Sequence, residues 1–351
     1  QSNFLLDLDS DTLPACFVKE GDGWYAIFNP QQSRLLDIDL MYNLNHQSVV
    51  CCVRFALNGR FLATGCNHYA QVFDVETGEP VSRLQGDSLP EEGDKYIRSV
   101  CFSPDGRYLA GGSEDSVLYV WDIAARMIKH RFTGHEAEIY SVDFARNGRF
   151  IASGSGDRSV CLWDLDSNSR IAYFPIQDGV SSVAISPDNL FVAASSLDNT
   201  VPVWDVQSRQ LVVCFEDADS HIDSTYSVAF APSGNRLFSG SLDKTVKMWE
   251  FTPTSSLSET SPIGRCVRTF EGHKDFVFSV AITQDSNWVL SGSKDRTVYF
   301  WDPHTGVSHV MLNGHKKSVI SVASSPTNGI FATGSGDMCA RIWRFSRYSG
   351  P

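Results

Sequence analysis

Histidine, serine and aspartate recur together in this 351-residue chain at constant spacing. Four sets share one pattern, each closed by a tryptophan: His135-Ser153-Asp157-Trp163, His221-Ser239-Asp243-Trp249, His273-Ser291-Asp295-Trp301 and His315-Thr333-Asp337-Trp343. A Ser-His-Asp set can generate a nucleophile, because the imidazole takes the hydroxyl proton while the carboxylate orients the ring. A hydrolase, however, needs one site with an oxyanion hole, and nothing in that chemistry calls for four copies. The same atoms together with the Trp make a different chain. The indole N–H donates to the hydroxyl, the hydroxyl donates to one imidazole nitrogen, and the other nitrogen donates to the carboxylate. Such a chain satisfies buried polar groups and ties a loop to a strand. The sets are therefore expected to be structural tetrads and the chain no enzyme. No Cys-x-x-Cys pair or Cys/His cluster has the spacing of a metal site, so no metal and no cofactor is expected.

The elements that position these residues repeat with them. Residues 134–164 carry Gly-His, an alternating apolar run (Ile139, Ser141, Val142, Phe144), a turn at Asn147-Gly148, a run ending at Ser153-Gly154, a turn at Gly156-Asp157 and a third run ending at Trp163-Asp164. Period-two alternation broken by Gly, Asn and Asp predicts short antiparallel strands. The closing aromatic recurs at Phe73, Trp121, Trp163, Trp204, Trp249, Trp301 and Trp343, so there are seven units, spaced 48, 42, 41, 45, 52 and 42 residues apart. That period is the length of one four-stranded propeller blade, and blades must stack in a ring to bury both faces. The expected fold is all-β, a seven-bladed propeller over residues 35–351. Its last unit lacks a fourth strand, and residues 35–44 stand in the right register to supply it, so an N-terminal strand is expected to close the ring. Residues 1–34 are expected to form a short extension packing on the propeller, with a strand at 24–28. A chain that starts with Gln is expected to be a fragment.

Three units depart from the pattern. The first has His46 and Thr64 but Phe73 in place of Trp and no Asp; the second has Asp87 near the His position and Gly111 for Ser; the fourth has Asp178 and Ala194. These blades are expected to rely on packing. Polar insertions at 87–94 and 252–264 read as loops, the second with a bare Ser261-Pro262 phosphorylation motif.

With 42% hydrophobic and 20% charged residues, the composition is that of a soluble globular chain, and no apolar run reaches the length of a membrane span. A net charge of −12 removes the general attraction to phosphate backbones, so no direct nucleic-acid binding is expected, with Lys316-Lys317 one candidate for a local basic patch. The nine cysteines are scattered through apolar runs, as small buried thiols are, and are expected to be reduced, which fits cytosol or nucleus.

The strings SGSGD, VCLWD and SGSKDRTVYFWD resemble WD-repeat proteins, which are propellers. FLLDLDS (4–10), SVVCCVRF (48–55), YIRSVCFSPDG (96–106), GHKDFVFSVA (272–281) and ATGSGDMCARIW (332–343) are similar to the C-terminal propeller of the fungal Tup corepressors, relatives of Groucho, and this resemblance covers nearly the whole chain. In WD-repeat propellers the loops joining fourth to next first strand, and second to third, share one face. Five residues past the repeat histidines His46, His135, His221, His273 and His315 stand Cys51, Tyr140, Tyr226, Phe278 and Ile320; aligning Phe102 with Phe144 puts Arg98 at the same place, with Tyr96 two residues earlier. Ser99, Glu114, Leu197 and Lys317 belong to the same rim. Aromatics recurring at the mouth of a ring suit a binding surface, although they would also suit packing between blades. The resemblance implies that this face engages partners through these positions. It implies a nuclear transcriptional corepressor on which sequence-specific DNA-binding repressors dock, with a TPR-repeat partner and histones contacted through regions outside this chain, which alone would be a monomer. The rival reading, a ubiquitin-ligase substrate receptor, would prefer a Trp-Asp-x-Arg signature; Trp163-Asp164-Leu165-Asp166 does not supply one.

Overall fold

Each repeat folds because its apolar runs are separated by tight turns that local hydrogen bonds hold closed. In the computed structural model, which describes residues 5–8, 12–86, 95–216, 219–252, 264–327 and 329–350, blade three consists of antiparallel strands Ile139–Phe144, Phe150–Ser155, Ser159–Asp164 and Ser169–Pro175. Its first turn places Gly148 at φ 74°, while the Asn147 side-chain oxygen accepts the Arg149 N–H at 2.9 Å. In its second turn the left-handed residue is Arg158 (φ 68°) rather than a glycine. A carboxylate holds the equivalent turns closed: Asp243 accepts the Thr245 N–H at 2.9 Å and Asp295 that of Thr297 at 3.0 Å. Asp87, the insertion at 87–94 and Ser261-Pro262 lie outside the described residues.

Seven such sheets form the ring, six of four strands and one of six. The extra strands come from the N-terminus. Strands β1 (Val18–Gly21) and β2 (Trp24–Phe28) form a hairpin, and β2 pairs with Ser308–Asn313 from Phe28↔Val310 to Tyr25↔Asn313, which extends blade six. Strand β3 (Leu36–Asn45) pairs antiparallel with Cys339–Arg347, from Leu36↔Arg347 to Asn45↔Cys339, and completes blade seven. The start of the chain is thus woven into two blades. Trp24 meets Trp343 edge-on at 5.5 Å, and the Arg34 guanidinium lies between Phe28 and Tyr348 at 3.6 and 4.1 Å from their ring centres.

The core lies between blades. Cys101, Val120 and Phe132 of blade two pack with Ile139, Phe144 and Trp163 of blade three, all buried. The Ser-Gly-Ser end of the second strand sets the spacing, since a Cβ on Gly154 would fall 2.4 Å from Cγ1 of Val180 in the next blade. At the channel, the inner strands of neighbouring blades run side by side and their free N–H groups need partners. A Ser-Val dipeptide answers this in blade after blade. Val142 donates to Ser99 Oγ (3.1 Å), Val183 to Ser141 (3.0 Å), Val228 to Ser182 (3.3 Å), Val280 to Ser227 (3.1 Å), Val322 to Ser279 (3.0 Å) and Val53 to Ser321 (3.1 Å). Cys52 takes the seventh place, its sulfur bonded by the Val100 backbone. This belt runs once round the ring.

Candidate protein-docking site

The tetrads fix the loops that reach the face of the ring. In blade three, His135 Nδ1 bonds Asp157 at 2.7 Å, its Nε2 bonds Ser153 Oγ at 2.7 Å, and Trp163 Nε1 donates to Ser153 Oγ at 2.7 Å. Blades five and six repeat these bonds within 2.7–2.8 Å, and blade seven, with Thr333 for Ser, within 2.7–3.2 Å. The carboxylate also accepts the N–H of the residue after the histidine, from Glu136, Ile222, Lys274 and Lys316 at 2.9–3.2 Å, so the loop backbone is clamped. The four hydroxyl-bearing residues are fully buried, and each hydroxyl is already bonded to indole and imidazole, an arrangement that presents no nucleophile to a substrate.

Burial and these bonds set the titration. Burial pushes the His135 and His315 imidazoles below 6.5, outweighing the neighbouring carboxylates that pull the other way. Burial opposes ionisation of the aspartates too, but the bonds they accept prevail and hold Asp243, Asp295 and Asp337 at about 2, against 3.8 ordinarily. As pH falls, the unfolded chain takes up both kinds of proton before the folded one does, so acid destabilises. Stability is expected to decline first below pH 6.5, from these two histidines together with His46 and His309, which burial lowers as well, and again from pH 4 towards 2, from the aspartates. Urea titrations at about pH 7.5, 5.5 and 3.5 check this; a midpoint unchanged down to about pH 4 would show that the histidines are not held neutral.

Blades one and two, expected to be held mainly by packing, add polar bonds of their own. In blade two Trp121 Nε1 donates to the Gln85 carbonyl at 2.8 Å, while the Tyr119 hydroxyl donates to Asp115 at 2.7 Å and its ring stacks on Trp121. A backbone carbonyl and a tyrosine stand in for the serine and histidine. In blade one His46 Nε2 bonds Thr64 at 3.0 Å, with Nδ1 on the Leu44 carbonyl at 2.9 Å, and the ring meets Phe73 edge-on.

The mouth of the channel is built by a repeated irregularity. Six inner strands carry a bulge near their start, skipping Arg98, Tyr140, Ser181, Tyr226, Phe278 and Ile320 in the pairing register. Cys51 stands at the matching place just before Cys52–Phe55. A bulge leaves its extra residue outside the ladder and re-aims the side chain, here towards the opening. Cys51, Arg98, Ser99, Tyr140, Leu197, Tyr226, Phe278 and Ile320 line one cavity of about 510 Å³. The other sequence-selected residues surround it. Glu114 accepts the Tyr96 N–H at 3.0 Å and pairs with Arg98, whose guanidinium lies over the Tyr96 ring, while Lys317 flanks Gly336 beside Ile320. Tyr140 and Tyr226 are 37% and 39% exposed, so packing between blades does not consume them; Tyr226 also meets Phe278 at 5.4 Å. Burial raises the Cys51 thiol to about 11 despite nearby Arg98, which leaves it a neutral part of the wall. Ser99 has a second occupation, as a link in the belt. Sequence reasoning missed Ser181 and Ser182, which also line the cavity; aligning Ile185 with Phe144, as was done for blade two, finds both.

The WD domain, G-beta repeat model matches seven stretches: 39–74, 78–122, 127–164, 170–205, 211–250, 264–302 and 306–344. The chain belongs to the WD-repeat family. Within it, the chain is 57% identical over 354 residues to the transcriptional repressor rco-1 of Neurospora crassa, covering 99% of this chain and 58% of that protein. It is 44% identical over 409 residues to the general transcriptional corepressor TUP1 of Saccharomyces cerevisiae, covering 98% of this chain and 57% of that protein. With the transcriptional repressor tup12 of Schizosaccharomyces pombe it shares 50% over 277 residues, 79% of this chain and 46% of that protein. These matches make it a fungal Tup-family WD-repeat chain that spans less than three-fifths of the length of such relatives.

Proposed function

We propose that this WD-repeat ring is the protein-interaction domain of a nuclear transcriptional corepressor, a platform without catalytic activity on which sequence-specific DNA-binding repressors dock a short segment at the mouth. The observation that carries this reading is the ring of bulge residues, in which half-exposed Tyr140 and Tyr226 stand over an open cavity on a clamped backbone. Large aromatic surface with a polar handle, held rigid before binding, is what a hot spot needs. The docking residues are Cys51, Tyr96, Arg98, Ser99, Glu114, Tyr140, Leu197, Tyr226, Phe278, Lys317 and Ile320. The ring by itself acts as a monomer, and contacts to a TPR-repeat partner and to histones belong to parts of the protein outside this chain. Immobilised chain is expected to retain DNA-binding repressors from nuclear extract, and a Tyr140→Ala/Tyr226→Ala ring to lose them. Retention of cullin adaptors instead of repressors would favour the ubiquitin-ligase reading.

A further inference from the structure

We infer that the mouth is electrically polarised, so that it selects a segment with an apolar centre, a basic end lying over blade three and an acidic end lying over blade seven. This rests on the docking reading above. The loops between tetrad histidine and bulge residue read Glu136-Ala137-Glu138 in blade three and Lys316-Lys317-Ser318 in blade seven. All four charged side chains are exposed, and among the described residues none of them forms an ion pair. Of the other charges near the mouth, Arg98 pairs with Glu114, Lys274 with Asp7, and Lys294 with Asp275 at 3.6 Å, while Asp178 and Asp223, in the matching loops of blades four and five, are exposed and form no ion pair among the described residues. What remains unbalanced is negative from blade three, where it is densest, to blade five, and positive on blade seven, which blades three and four face from as far away as a ring of seven allows.

Both charged loops are fixed in place. The N–H groups of Glu136 and Lys316 donate to Asp157 and Asp337 at 3.0 and 2.9 Å, and the Glu138 and Ser318 carbonyls accept the N–H groups of Gly156 and Gly336 at 3.0 and 3.1 Å. Gly156 packs against Glu138 and Tyr140, and Gly336 against Lys317 and Ile320, so each charge borders the apolar ring directly. Unpaired charges of opposite sign beside an apolar patch steer a partner and fix its register more than they add raw affinity. A chain of net charge −12 would otherwise favour the most basic segment; local polarity predicts a different preference.

Three synthetic peptides separate the two, each with the same apolar centre from a repressor segment that the whole chain binds: one with Lys-Lys and Glu-Glu on opposite flanks, one with Lys-Lys on both, one with Glu-Glu on both. By fluorescence anisotropy in low salt, the dipolar peptide is expected to bind about tenfold more tightly than either other, with the gap closing as salt screens it. Carbodiimide coupling is expected to join its glutamates to Lys316 and Lys317 rather than to Lys244, Lys274 or Lys294. In the Lys316→Glu/Lys317→Glu chain the doubly basic peptide becomes the tightest, with an unchanged melting temperature. If the doubly basic peptide already binds the unaltered chain best, or coupling spreads evenly over the lysines, the polarity is refuted while docking stands. If Tyr226→Ala leaves all three affinities unchanged, docking at the mouth fails and the polarity with it.

Discussion

Replacing Trp301 by alanine is expected to lower the unfolding free energy by about 3–5 kcal/mol, read as a shift of the urea midpoint at constant slope. Trp301 is completely buried, sits between Tyr299 and Phe270, and donates its indole N–H to Ser291 at 2.8 Å. Alanine leaves a cavity at the junction of blades five and six and also deprives the Ser291 hydroxyl of its indole donor. A milder pair of substitutions separates these two effects. Trp301→Phe keeps most of the apolar volume and removes the donor, and is expected to cost more than Trp204→Phe, because blade four has Ala194 where the four tetrad blades have the hydroxyl. An unsatisfied buried partner is worth about 1–3 kcal/mol. Equal losses at the two positions would mean that the tetrad adds nothing beyond packing.

Tyr226→Ala is expected to weaken binding of a repressor segment by about 30-fold or more, equivalent to about 2 kcal/mol, by calorimetry, with Tyr140→Ala close behind. Neither change is expected to move the melting temperature appreciably, since both rings are more than one-third exposed and stand outside the strand ladder at a bulge. Tyr173, 51% exposed on the outer strand of blade three, provides the control, and its replacement by alanine is expected to leave affinity unchanged. A loss of binding that tracked a loss of folded protein would turn the tyrosines back into packing residues.

The frame was legible in the sequence because its signals are periodic. Constant offsets from histidine to hydroxyl, carboxylate and indole mark bonds that the fold makes blade after blade, and the missing fourth strand of the last unit pointed to residues 35–44. Counting from the histidine finds the bulge residues of five blades, the alignment of Phe102 with Phe144 finds Arg98, and blade four, where Asp178 stands near the histidine position, offers no histidine to count from. What periodicity could not reveal was pairing between distant segments with no repeat of their own. Strand β2 carries an apolar run at 24–28, but only the structure shows it joining blade six beside Ser308–Asn313. The Ser-Val belt was present as a repeated dipeptide, yet its meaning depends on neighbouring inner strands lying side by side, which one repeat alone does not encode.

The central claim is that partners dock on the mouth, and hydrogen exchange of the chain with and without a bound repressor segment tests it most directly. Protection is expected in the clamped loops and bulges at 96–99, 137–141, 222–227, 275–279 and 317–321, with the hairpin at 18–28 and the outer strands of the blades unchanged. Protection confined to that hairpin or to the outer strands would place the docking surface on the side of the ring and contradict the account.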